Sequence, residues 1–176
     1  MQSTIYGKVL VLIDWDNLFL CLQDKFGAEI NLEHRIQKLM EWIQNEIGEI
    51  LEGYGFVFAP DHLNSLHREM LIRNNLRIII SPKEQIDGLQ RDTVDKTLMW
   101  FGRMMLRHSD IGFICLVSGD EDFVPFMKEA KKYGIKIALA APTINSLSRN
   151  LLDCIDIHPE TGRKIILRLD TLLENV

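Results

Sequence analysis

Two short acidic groups stand where carboxylates could act together. Asp14 and Asp16 follow directly on the apolar run Val9–Ile13, with Asn17 next. Asp120 and Asp122 follow the apolar run Phe113–Val117, in the order Ser118-Gly119-Asp120-Glu121-Asp122. Asp95 opens a helical pattern between them. Gathered carboxylates repel one another, and a hard divalent cation with oxygen ligands, Mg²⁺ or Mn²⁺, relieves that repulsion. Such an ion can activate a water and stabilise charge developing on a phosphoryl group. Gly119 gives the backbone freedom to turn tightly where the second run ends.

Whether these groups can meet depends on the elements that carry them. Val9–Ile13 is continuously apolar, as a central parallel strand covered on both faces must be. Phe56–Phe58, Ile78–Ile80, Phe113–Val117 and Ile135–Ala141 read as further strands. Helical spacing falls between them. In Asn31–Leu51 it aligns Ile36, Leu39, Met40, Ile43 and Ile47, with Asn31 placed to cap. It recurs over His62–Asn74, over Asp92–His108 and over Glu121–Tyr133, which Gly134 stops. Ile144–Leu152 predicts a short helix and Cys154–His158 a last edge strand, while the stretch after Ser81-Pro82 reads as a polar loop.

Strands alternating with helices predict an α/β fold: three α/β/α layers around a mainly parallel, Rossmann-like sheet. Ligands bind such sheets beyond the carboxyl ends of the strands, so parallel, central first and fourth strands would bring both acidic groups to one edge. A right-handed connection would aim Asp95 at the same edge. Residues 1–160 form the expected domain. Residues 161–176 are a tail that fits either helix or strand, and that either packs on the domain or permits a homodimer.

The chain has 176 residues, 47% of them hydrophobic and 26% charged, enough for one domain with a substantial core. No apolar run is long enough to span a bilayer, and the start lacks the basic and small-residue marks of a signal peptide, so a cytoplasmic protein is expected. The net charge of −5 argues against coating nucleic acid by bulk electrostatics. It does not argue against handling nucleic acid through a metal. Cys21, Cys115 and Cys154 are far apart and lack a Cys-x-x-Cys pattern, so buried free thiols are expected rather than zinc or disulfides.

Each candidate has a plainer reading beside it. Asp120 or Ser118 can cap the helix that follows, and Glu121, Asp122, Asp92 and Asp95 all suit a helix N-terminus. Asp14 and Asp16 are harder to explain so, because a charge at the end of a buried strand is costly unless it is used or paired. Trp15 can stack on a base or pack under the first loop, and packing is the expectation. His62 and His67 are too poorly spaced to share a metal on one helix face, and read as surface histidines. Met104-Met105 reads as core, and Lys128, Lys131 and Lys132 as a solvated face.

The motifs together resemble a known family. Val9–Asn17, with Asp14-x-x-Asn17 after an apolar strand, is similar to the opening motif of the NYN domain, in its LabA-like branch, within the PIN-like nuclease superfamily. Val94-Asp95 resembles the second motif of that family. Ser118-Gly119-Asp120-Glu121-Asp122-Phe123-Val124-Pro125 resembles the third and most specific. Tyr133–Ile137 matches its helix-Gly-strand step, and Leu147–Asp156 its closing segment.

The resemblance covers about residues 8–158. It implies a PIN-like fold and a metal-dependent endoribonuclease. Asp14, Asp95, Asp120 and Asp122 would bind Mg²⁺ or Mn²⁺, and Asn17, Ser118 and Asp153 would support them. Arg91, Lys96 and Arg149 would hold RNA, single-stranded, by its phosphates. The chain departs from the family where Thr93 replaces a common Gly, and where Met99, Trp100 and Phe101 follow Asp95 in place of a further acidic residue.

Two other readings compete. Asp14-Trp15-Asp16 also resembles the first motif of haloacid-dehalogenase-like phosphatases, where Asp14 would be the nucleophile and Asp16 the acid/base. Against it, Leu18 stands where that family prefers Thr or Val, and no Lys is clearly placed before the last acidic motif. The remaining reading is an inactive module of the same fold that binds RNA or a protein partner.

Overall fold

The computed structural model describes residues 7–27, 30–51, 55–60, 63–108 and 110–172. The first strand, β1 (Lys8–Asp14), lies near the centre of the sheet, and Val9–Ile13 have no solvent exposure. It pairs in parallel with β2 (Gly55–Ala59) on one side and with β6 (Ile111–Val117) on the other. Beyond them lie β3 (Leu76–Ile80), β7 (Lys136–Ala141) and β8 (Ile166–Arg168). The order is β3-β2-β1-β6-β7-β8, with every pairing parallel. This is the expected α/β architecture.

Right-handed crossovers assign the layers. The steps β1→β2→β3 run one way across the sheet. They place α1 (Trp15–Phe26), α2 (Leu32–Trp42) and α3 (Ser65–Arg73) on one face. The steps β3→β6→β7 run the other way and place α4 (Val94–Met105) and α5 (Val124–Lys132) on the opposite face. Side-chain contacts agree. Trp15 and Phe19 of α1 meet His67 of α3, and Phe101 of α4 lies on Phe56 and Phe58 of β2. Gly102 of α4 lies so close to the Phe126 ring of α5 that a Cβ would strike it. The strand order reverses between β1 and β6, which is where this architecture opens a ligand crevice. Among the described residues no helix is long and apolar enough to cross a membrane.

Several elements differ from the sequence expectation. Trp15–Phe26, where none was foreseen, is helical, capped by Asp14 and anchored by Trp15, Leu18 and Leu22. The expected polar loop is a hairpin, β4 (Lys83–Ile86) with β5 (Leu89–Asp92). Asp87 and Gly88 turn it with φ of 53° and 77°, the left-handed pair that a tight two-residue hairpin needs. Asn31 caps α2 as expected, accepting from His34 N at 3.0 Å, but the last turn of that segment, Ile43–Ile47, widens to π-helix.

Only Arg149–Leu152 (α6) of the stretch 144–152 is helical. Cys154–His158 forms no strand. Asp156 meets β7 at Ile137 alone, donating its N–H to the Ile137 carbonyl and accepting from Ile137 N on its carboxylate, and the chain then turns through 159–163 before Ile166–Arg168 takes the edge. Buried Arg35 secures this last segment by donating to the carbonyls of Leu169 and Leu172.

Candidate metal centre

The last residue of β1 is also the cap of α1. Asp14 Oδ1 accepts from Asn17 N at 3.2 Å, while its Oδ2 accepts from the hydroxyl of buried Ser118 at 3.1 Å. Ser118 Oγ in turn accepts from Asp120 N at 3.2 Å. Asn17 Oδ1 accepts from Gly119 N at 2.9 Å. The ends of two adjacent parallel strands are therefore stitched together by their own motif residues. Asp14 is only 4% exposed. Burial pushes its carboxyl up to about 7, helped by the neighbouring charges of Asp95 and Asp16 and opposed by the Asn17 and Ser118 hydrogen bonds.

Asp95, Asp120 and Asp122 lie in front of it. One carboxylate oxygen from each falls within 4.8 Å of the others. Asp95 comes from the first turn of α4, where Thr93 spends its hydroxyl on the Pro82 carbonyl instead of capping. Asp120 does cap, accepting from Asp122 N at 3.0 Å. That bond uses one oxygen of a group with two, so capping and metal binding coexist. A cleft of about 330 Å³ opens here between Asp14, Asp16, Asn17, Asp95 and Asp120. Hard oxygen donors converging on one point, with a fourth carboxylate held behind them against its own burial, fit Mg²⁺ or Mn²⁺.

The other expected residues are spread more widely. Asp153 is exposed and shares a neighbouring groove with Asp122 and Lys128. Arg91 is exposed on the hairpin, and Lys96 is held by Glu84 at 2.7 Å. Arg149 is exposed at the start of α6. Trp15 is 3% exposed and stacks on Phe19, so it packs, as expected. His67 packs against the same two rings, whereas His62 lies outside the described residues. Met105 borders the core, but Met104 faces solvent, contrary to expectation, because it sits one position round the helix from the apolar stripe.

All three thiols are free. Cys115 and Cys154 are buried, while Cys21 is half-buried and lines the acidic cleft. The sequence reading did not foresee Leu20 and Cys21 there, because their helix went unrecognised.

A family model described as NYN domain matches residues 8–158. No curated protein matches the chain. Among solved structures, one similar chain is a protein of unknown function from Vibrio parahaemolyticus. It is 18% identical, with 97% of this chain and 98% of that one aligned and a TM-score of 0.72. A likeness at that identity shows a shared fold.

Proposed function

The chain belongs to the NYN domain family, of the PIN-like nuclease superfamily, and on that premise we propose that it is a metal-dependent endoribonuclease of the LabA-like branch. Its substrate is single-stranded RNA, and its site is formed by Asp14, Asp95, Asp120 and Asp122. The observation that carries this reading is the convergence of Asp95, Asp120 and Asp122 in front of buried Asp14, at the point where the strand order reverses.

Asp95, Asp120 and Asp122 would hold Mg²⁺ or Mn²⁺, with Asp14 completing the negative field. When bound, the ion supplies an activated water and neutralises charge on the phosphoryl oxygens. Ser118 and Asn17 act as positioning residues, fixing the Asp14 carboxylate and the turn that presents Asp120. Arg149 and Arg91, both exposed, would meet phosphates further along the strand, and Asp153 borders the groove beside Asp122. Lys96 is the poorest of the expected phosphate contacts, because Glu84 already neutralises it.

Incubating end-labelled single-stranded RNA with the protein and Mn²⁺ tests this function. Cleavage that EDTA stops and Asp120→Asn removes supports it, while equal cleavage by the variant contradicts the site. One observation favours the alternative of an inactive binding module: Trp100, one turn past the motif, is 60% exposed, in the stretch where the family pattern implies a further acidic residue. Such a module would bind RNA or a partner without taking up Mn²⁺.

A further inference from the structure

Next to the acidic cleft lies a second one of about 430 Å³, within the size range of small-ligand sites. The two clefts share Cys21 on α1. One wall of the second is the next turn of α1, with Asp24 and Lys25. The other is the loop Thr143–Ser146, which leaves the carboxyl end of β7. The second cleft therefore lies on the same edge of the sheet as the metal centre.

The loop is rigid. Thr143 N donates to Ser146 Oγ at 3.3 Å, Ser146 N to Thr143 Oγ1 at 3.1 Å, and Ser146 Oγ to the Thr143 carbonyl at 2.9 Å. It is also locked to the turn that carries Asp120. Ser148 N donates to the Gly119 carbonyl at 3.1 Å, and the Ser146 carbonyl occupies the space that a Cβ on Gly119 would need. The second cleft is thus held at a set distance from the carboxylates.

Its lining sets an apolar edge beside donors and acceptors. Ile144 is 49% exposed and offers an apolar edge. Asn145 carries an amide that both donates and accepts, while Asp24 only accepts. Lys25 is engaged by Asp170 at 2.6 Å, which leaves Asp24 as the group facing ligand N–H donors.

We propose that this second cleft is a nucleobase subsite. It takes the base adjacent to the phosphate at the acidic cluster and favours guanine, whose neighbouring N1–H and N2–H match one carboxylate. The identity of that phosphate rests on the ribonuclease reading; the base pocket does not.

Titrating the full chain with GMP, AMP, CMP and UMP in Mg²⁺, followed by amide chemical shifts, tests it. GMP is expected to bind about tenfold tighter than UMP and to shift residues 21–25 and 143–146. Asp24→Asn and Asn145→Ala are expected to erase that preference while leaving Mn²⁺ uptake unchanged. Asp120→Asn should weaken Mn²⁺ uptake and keep the base preference. Equal affinity for the four nucleotides, no measurable binding, or a guanine preference that survives Asp24→Asn would overturn the subsite. If GMP is preferred but RNA is not cleaved, the ribonuclease reading fails and the subsite stands. If RNA is cleaved with no base preference beside the cut, the subsite fails and the nuclease stands.

Discussion

Asn17 and Gly119 are joined by a hydrogen bond of 2.9 Å although 102 residues separate them, and that bond fastens the first turn of α1 to the turn after β6. Asp14, Asp120 and Asp122 hang from these two turns, while Asp95 comes from the first turn of α4. Small changes at the junction should therefore read out both in stability and in metal affinity.

Asn17→Ala removes the acceptor and leaves the Gly119 N–H part-buried without it. The expected cost is about 1–3 kcal/mol, measured by urea unfolding, with weaker Mn²⁺ binding in parallel. Normal stability together with lost Mn²⁺ binding would instead make Asn17 a ligand and not a positioning residue.

Gly119→Ala forces a methyl group against the Ser146 carbonyl. Backbone must give way here, so destabilisation of about 1–3 kcal/mol is expected by thermal or urea unfolding. Because Asp120 follows directly, Mn²⁺ affinity should fall as well.

The Asp14 carboxyl is raised to about 7 in the folded chain, mainly by burial, against about 3.9 when unfolded. Between those values the folded state keeps a proton that the unfolded state has lost. In the metal-free protein this stabilisation is full below about pH 4, declines as pH rises, and is gone above about 7. The loss amounts to up to about 4 kcal/mol. Urea unfolding in EDTA across this range should show wild type losing stability relative to Asp14→Asn. A constant difference between the two would show that Asp14 is not perturbed.

The sequence made the centre of the fold and the acidic edge legible for one physical reason. Continuous apolar runs such as Val9–Ile13 and Phe113–Val117 suit buried parallel strands, and the residues just past them lie at the ligand-binding edge. The periphery was less legible. α1 begins inside the motif itself, so Asp14 reads as chemistry while it is also the cap, and the Trp15, Leu18, Leu22 spacing was left unused. The Asp87-Gly88 pair carried a hairpin signal, but its strands are short and polar.

At the sheet edge, Cys154–His158 and Lys164–Leu169 both offered apolar segments. Contact through one residue, Asp156, against the longer register of β8 decided between them only in three dimensions. The grouping of Asp95 with Asp120 and Asp122 likewise needed the crossover from β3 to β6. The second cleft needed the loop after β7, whose residues carry no motif.

The central claim is that Asp95, Asp120 and Asp122 hold a divalent ion in front of Asp14. The most direct test is to titrate the metal-free protein with Mn²⁺ while following the signal of the free ion by electron paramagnetic resonance. Wild type should remove Mn²⁺ from solution in a saturable way, and Asp95→Asn, Asp120→Asn and Asp122→Asn should each weaken that uptake by about tenfold or more. If wild type leaves the free-ion signal untouched, or if all three variants bind as it does, the acidic edge is not a metal centre.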